Sequence, residues 1–85
     1  MKAGDIVYLC FVVPTCDVYD VLRLTIRTAQ DDWAVGVDEH TKQAYIFTDK
    51  MIAKYVFTEQ YEAQEAILQF RASNEIEVAD NDIQT

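Results

Sequence analysis

Few side chains in this chain of 85 residues are suited to chemistry. It has one histidine, His40, in a polar stretch, and two cysteines, Cys10 and Cys16, six residues apart. A zinc site needs several His, Cys or carboxylate ligands at defined spacing, and a nucleophilic cysteine needs a base beside it. His40, Cys10 and Cys16 do not have the spacing of zinc ligands, and the sequence places no base beside either cysteine. We therefore predict two free thiols, a solvated histidine and no metal site.

Two acidic pairs are the remaining candidates for catalysis, Asp31-Asp32 and Asp80-x-Asp82. Neighbouring acids in turns are usually solvated, and the second pair lacks the other ligands of a calcium-binding loop. The sequence also has no glycine-rich phosphate loop and no serine nucleophile motif. We predict that the protein is not an enzyme and has no catalytic residue and no cofactor.

The charge of the chain is unevenly distributed. Its net charge is −8, yet residues 1–58 hold eight acids against six bases, whereas residues 59–85 hold seven acids against Arg71 alone. Binding to nucleic acid needs clustered Lys and Arg, so direct contact with DNA or RNA is disfavoured. A protein partner with a basic surface is favoured, because opposite charges attract at long range. The alternative interpretation is that negative charge only keeps a small protein soluble and monomeric.

The clearest element is a helix that begins after Thr58, a residue type that often caps helices. One apolar face follows at helical spacing, formed by Ala63, Ala66, Ile67 and Phe70. We expect a helix of roughly 12 residues that ends at 72–74. Because so short a helix is marginal alone in water, its apolar face must dock on the rest of the chain.

The residues before this helix predict a small β domain of four to five strands. Ile6–Val13 is apolar throughout, which indicates a strand that is buried on both faces or covered on one face by another element, and it is too short to span a bilayer. Trp33 is expected in the core, and Gly36 indicates a bulge or a close approach of another backbone. The other strands are predicted at 18–28, Trp33–Val37, 43–47 and 55–57.

Two segments resemble those of a known fold family. The opening segment, Gly4-Asp5-Ile6-Val7-Tyr8, is similar to the first strand of SH3-like barrel domains. Residues 56–63, Val-Phe-Thr-Glu-Gln-Tyr-Glu-Ala, resemble the aromatic-Thr-x-x-x-Glu-Ala junction that closes many small SH3-like proteins of bacteria, phages and mobile elements. The resemblance covers most of residues 4–70. It implies a fold rather than an activity, because this fold hosts many functions.

We therefore expect an α+β protein: a small bent antiparallel sheet or SH3-like barrel of four to five strands, closed by one C-terminal helix. The domain is predicted to span residues 1–72, followed by an acidic tail at residues 73–85. The sequence has no signal-peptide pattern. With two free thiols, this predicts a protein of the reducing cytoplasm, without contact to a membrane.

One acidic array suggests a function. Seven acids of the helix and tail are predicted to bind a partner: Glu59, Glu62, Glu65, Glu75, Glu77, Asp80 and Asp82. In size, charge and expected fold the chain resembles small acidic phage proteins that inhibit CRISPR effectors or restriction enzymes. This resemblance implies a non-catalytic, DNA-mimicking inhibitor that occupies a basic groove of a nucleic-acid-processing enzyme. The alternative is a structural or accessory module that self-associates through strand edges, and both a monomer and a homodimer remain open.

Overall fold

The described residues form five strands and two α-helices. The computed structural model describes the backbone of residues 1–84 and the side chains of residues 1–73. In chain order the elements are β1 (Ile6–Val13), β2 (Val18–Ala29), β3 (Trp33–Val37), β4 (Ala44–Thr48), α1 (Asp49–Tyr55), β5 (Val56–Phe57) and α2 (Gln60–Gln84). The strands form one antiparallel sheet in the order β4-β3-β2-β1-β5.

A long hairpin forms the centre of this sheet. β1 and β2 pair in register along the whole of β1. A single 3-10 turn, Pro14–Cys16, joins them, and the N–H of Asp17 donates to the Pro14 carbonyl at 3.1 Å. Asp17 has a left-handed backbone with φ of 54°, which aspartate tolerates better than most residues. The hairpin therefore joins the two strands that the sequence predicts at Ile6–Val13 and 18–28.

Both faces of β1 are buried, which is one of the two arrangements that its unbroken apolar sequence predicts. Leu9 lies in the main core, whereas its neighbour Cys10 is buried on the opposite face of the sheet. The core face is covered by α1, and the Cys10 face is covered by α2. The main core consists of Val7, Leu9, Leu24, Ile26, Ala34, Phe47 and Val56, with Met51, Ile52 and Tyr55 of α1 packed against it.

The helix α2 lies close to the sheet because its contact residue is small. Ala63 has no exposed surface, and its carbonyl oxygen accepts a hydrogen bond from the thiol of Cys10 at 3.3 Å. Ala66, Ile67 and Phe70 are half-buried on the same side of α2. Phe70 contacts Tyr55 of α1, with ring centroids 5.1 Å apart. The predicted apolar face of the helix is therefore confirmed.

A bulge changes which residues of β2 face the core. The pairing with β3 shifts between Ile26 and Thr28, which leaves Arg27 as the extra residue. Even-numbered residues point into the core before the bulge, and Ala29 does so after it. The sequence predicted a bulge or a close approach of another backbone at Gly36. The bulge does lie beside Gly36, because its extra residue on β2 follows Ile26, the partner of Gly36. The close neighbour of Gly36 is the Phe47 side chain, which takes the space that a Cβ would need.

Trp33 is not a core residue, so that prediction is wrong. It is 38% exposed, while its neighbour Ala34 is fully buried. Side chains alternate along β3, so Ala34 and Gly36 face the core and Trp33 faces away. The large Phe47 ring fills the core at that point, which leaves room there only for small residues on β3.

The sheet is strongly bent but open. Strands β1 and β4 are three positions apart in the sheet, roughly 14 Å if it were flat. Nevertheless, the rings of Phe11 and Tyr45 lie 6.0 Å apart, centroid to centroid. The expected bent antiparallel sheet with a C-terminal helix is confirmed. Among the described strands, β4 pairs only with β3 and β5 only with β1, so closure into an SH3-like barrel stays a prediction.

The boundaries of the helices differ from those predicted. Residues 49–55 form α1, and Thr48 caps it by accepting the Met51 N–H at 3.4 Å. The C-terminal helix begins at Gln60, two residues after Thr58, and the Glu59 carbonyl accepts the Ala63 N–H at 3.3 Å. The helix also continues past residues 72–74, where the sequence has no Gly or Pro to end it. The apolar pattern stops there, but this indicates that the following residues are exposed and not that the helix ends. A separate acidic tail at 73–85 stays a prediction, since side chains from residue 74 onward lie outside the described ones.

We expect Gly36→Ala to destabilise the protein by about 1–3 kcal/mol through overpacking. The added Cβ would lie 3.0 Å from Cε2 of Phe47 and 3.2 Å from Cβ of Leu24. Urea unfolding followed by circular dichroism measures the loss. In a Phe47→Leu background the same change should cost less, because the ring contact is gone. An equal cost in both backgrounds would contradict this explanation.

Phe70→Ala should lower the free energy of unfolding by about 2–3 kcal/mol. This loss is smaller than the loss expected for a fully buried phenylalanine, because Phe70 is half-buried and its substitution removes mainly the contact with Tyr55. Leu68→Ala is the control on the same helix, since Leu68 is 66% exposed and should cost under about 0.5 kcal/mol. Equal losses for the two variants, measured by urea unfolding, would show that α2 is not docked through Phe70.

Candidate partner-binding surface

Three of the predicted partner-binding acids are exposed at the start of α2. Glu59 directly precedes the helix, Glu62 and Glu65 lie in its first two turns, and all three side chains are exposed. Glu59 and Glu62 lie near the helix N-terminus, where the helix dipole favours negative charge. Among the described side chains, none of the three forms an ion pair. Their charges therefore face solvent.

Two of these glutamates border a groove between the two helices. The groove has a volume of about 410 Å³. Phe57, Ala66 and Phe70 provide apolar surface in it, and Glu62 and Glu65 contribute the carboxylates. The remaining lining residues are Ala53, Lys54 and Gln69. We call this site the acidic groove. It joins exposed negative charge to apolar surface, which a flat charged helix face does not do.

Among the described residues, Lys54 is the one cation that lines the acidic groove. Its ammonium group lies 5.3 Å from the centroid of the Tyr55 ring, a cation–π distance. It forms no ion pair with Glu62 or Glu65. Two carboxylates against one ammonium leave the groove negative, and neither carboxylate is neutralised from within the described part of the chain.

The other four predicted acids cannot be assigned to this surface. Glu75, Glu77, Asp80 and Asp82 lie in the backbone span of α2, but their side chains are outside the described residues. Their role in partner binding stays a prediction. Any contribution of the acidic groove therefore rests on Glu62 and Glu65, with Glu59 one turn away.

A second groove was missed by the sequence reasoning. It also measures about 410 Å³ and is lined by consecutive residues of β1 and of β4: Leu9, Cys10, Phe11, Val12, Tyr45, Ile46 and Phe47, with Met51 and Tyr55 of α1. Consecutive strand residues point to opposite faces, so a cavity that touches them all runs along the strand edges. β5 pairs only with Tyr8 and Leu9, which leaves the rest of this β1 edge open. We call this site the seam groove.

A signal for the seam groove was present in the sequence. β4 reads Ala-Tyr-Ile-Phe-Thr, with no charge and no proline. Edge strands usually carry such residues as protection, so an unprotected edge marks an interaction surface. The position of β4 at the sheet edge could not be read from the sequence, and the signal was therefore not interpretable alone.

The residues considered for catalysis are dispersed. His40 lies in the β3–β4 turn, where its backbone N–H donates to Oδ1 of Asp38 at 2.8 Å. Asp31 and Asp32 are exposed in another turn. Within the described residues, no three His, Cys, Asp or Glu side chains are grouped so as to hold a metal ion. None of the described helices is long and apolar enough to cross a membrane.

The two thiols differ in environment. Cys16 is exposed in the hairpin turn, and Cys10 is buried beneath α2. Burial raises the pKa of the Cys10 thiol, because a thiolate is poorly solvated there. A raised pKa lowers the fraction of Cys10 that is present as the nucleophilic thiolate, so Cys10 is poorly suited to catalysis.

Comparison with protein-family models, with curated proteins and with solved structures found no match to this chain.

Thiol labelling tests the burial of Cys10. At about pH 8 an alkylating reagent should modify Cys16 in the native protein and Cys10 only after unfolding. The pKa of Cys10 is higher in the folded state than in the unfolded state. Below the unfolded-state pKa the thiol contributes its full stabilisation, and this stabilisation is lost as the pH rises from the unfolded-state pKa to the folded-state pKa. Unfolding midpoints should therefore fall with alkaline pH more steeply in the native sequence than in Cys10→Ala. Equal labelling of both thiols in the native state, counted by mass spectrometry, would contradict the burial.

Proposed function

We propose that this protein is a non-catalytic binding module whose acidic groove receives a basic segment of a partner protein. The observation that carries the proposal is the position of Glu62 and Glu65 beside the apolar surface of Phe57 and Phe70 in one groove. Long Lys and Arg side chains combine an apolar stem with a charged head. Such a side chain matches both the apolar floor and the carboxylate border.

The charge of the whole chain supports the same proposal. A net charge of −8 attracts a basic partner and repels nucleic acid. Carboxylates that already had internal partners would gain little from a new one. Glu62 and Glu65 have no ion-pair partner among the described residues, so their full charge is available to a partner.

The specific form of this proposal is an inhibitor of a nucleic-acid-processing enzyme, of the anti-CRISPR or anti-restriction type. In that form the glutamates take the places of nucleic-acid phosphates in a basic groove of the enzyme. The inhibition requires no catalysis by this chain. The groove adds a requirement to simple charge mimicry: the partner must also present an apolar side-chain stem to Phe57 and Phe70.

The double variant Glu62→Lys with Glu65→Lys should weaken partner capture at least tenfold, because two attractive carboxylates become repulsive. The matched control is Asp31→Lys with Asp32→Lys, which makes the same change in net charge at exposed positions in another turn. Pull-down from the native host lysate, at about 50 mM and about 500 mM salt, is the measurement, with wild type captured more weakly at high salt. Circular dichroism checks that each variant is folded.

If both double variants weaken capture equally, net charge alone attracts the partner and the acidic groove is not the site. A third variant separates charge from shape. Ala53→Trp places a large ring at an exposed position that lines the groove, without a change in charge. It should reduce capture of the same protein, and unchanged capture would exclude the groove as the binding site.

A further inference from the structure

The edge strand β4 has the properties of a surface that is covered in solution. Its five residues carry no charge, and Ile46, at its centre, is 68% exposed. In the described sheet β4 pairs with β3 on one side only. Exposed, uncharged strand edges pair readily with another strand, and proteins usually protect them with Lys, Pro or a bulge. β4 has none of these devices.

Exposed apolar side chains lie directly behind this edge. Trp33, on β3, is 38% exposed, and Val35 pairs with Ile46 across the two strands. Paired residues of an antiparallel sheet point to the same face, and so do residues two apart on one strand. Trp33, Val35 and Ile46 therefore form one apolar patch on the face of the sheet that lies opposite the main core. We call it the edge patch.

We propose that β4 pairs with β4 of a second copy of this chain, so that two five-stranded sheets join into one across a two-fold axis. This proposal concerns a different surface from the acidic groove and does not depend on it. The self-pairing of β4 gives a specific form to the self-association that the sequence left open.

Charge favours a second copy as the occupant of this edge. Each copy has a net charge of −8, so an uncharged surface is a favourable place for two copies to meet. β4 is such a place, since it has no Asp, Glu, Lys or Arg. It also lies at the edge of the sheet opposite β5, while the acid-rich helix α2 packs on β1, β2 and β5. Pairing through β4 therefore keeps the two acidic helices apart.

The register of the pairing follows from the length of β4. Two antiparallel copies of a five-residue strand overlap fully only when the middle residue lies on the two-fold axis. Ile46 then faces Ile46 of the second copy, Tyr45 faces Phe47, and Ala44 faces Thr48. Every pair is uncharged. Because the axis is perpendicular to the sheet, both edge patches lie on the same face and form one continuous apolar strip.

The seam groove leaves part of the β4 edge uncovered. It runs beside residues 45–47, and none of the described residues that line it is charged. The β4 edge is therefore not sealed by β1, although Phe11 and Tyr45 are in ring contact at one point. A paired strand requires roughly 4.8 Å beside β4, and the groove lies along that edge.

Sedimentation velocity across roughly 5–500 µM, the range expected for a small interface, tests the oligomeric state. We expect a monomer–dimer equilibrium that strengthens as salt rises, because salt screens the repulsion between two acidic copies. Ile46→Lys should weaken the dimer at least tenfold, whereas Leu68→Lys, at an equally exposed apolar residue of α2, should leave it unchanged. A monomer at all concentrations, or equal effects of the two variants, would overturn the proposal.

Disulfide cross-linking tests the register in a Cys16→Ser background. Ile46→Cys should link to itself, since residues on the axis lie within the Cα distance that a disulfide spans. Ala44→Cys should not link to itself, because its two copies would be roughly 13 Å apart, but it should link when mixed with Thr48→Cys. Linking of Ile46→Cys no faster than the exposed control Leu68→Cys would overturn the pairing. Self-linking of Ala44→Cys would overturn the register.

Discussion

The structure depends on the burial of β1 from both sides. Ile6–Val13 has an apolar side chain at every position, so each face of the strand needs its own cover. On one face Val7 and Leu9 enter the main core beneath α1, and on the other Cys10 meets Ala63 of α2. A cysteine facing an alanine lets helix and strand approach closely, and the thiol proton is satisfied by the helix carbonyl. Both helices are thereby held to one strand.

The short helix α1 determines the shape of both grooves. It occupies residues 49–55, which leaves β5 only two residues to pair with β1. Met51 and Tyr55, one turn apart, line the seam groove, whereas Ala53 and Lys54 line the acidic groove. One seven-residue helix thus separates an uncharged strand edge from a negative surface. Salt should act in opposite directions on the two surfaces. It screens the attraction between the acidic groove and a basic partner, and it screens the repulsion between two acidic copies that meet at β4.

The two proposed interactions are compatible within one chain. Partner binding uses α2 and the adjoining side of α1, while self-pairing uses β4 at the opposite edge of the sheet. A dimer through β4 would carry two acidic grooves, and a partner with two basic sites would then be bound more tightly than either groove alone allows. The SH3-like resemblance remains a statement about strand arrangement, because the described sheet is open between β4 and β1.

The sequence by itself determined the features that are local along the chain. The unbroken apolar run predicted β1, and helical spacing predicted the docked face from Ala63 to Phe70. The exposure of Glu59, Glu62 and Glu65 followed from the same spacing. These patterns are readable because burial repeats with the geometry of a strand or a helix.

Only the tertiary structure decided the features that depend on neighbours distant in sequence. Trp33 faces outward because the Phe47 ring already fills the core over Gly36, and no local pattern shows which of two apolar faces will be covered. Glu62 and Glu65 became part of a groove because α1 formed beside α2 at residues 49–55. The edge position of β4 likewise follows from strand order, which is set by how the whole sheet packs and not by the five residues of β4.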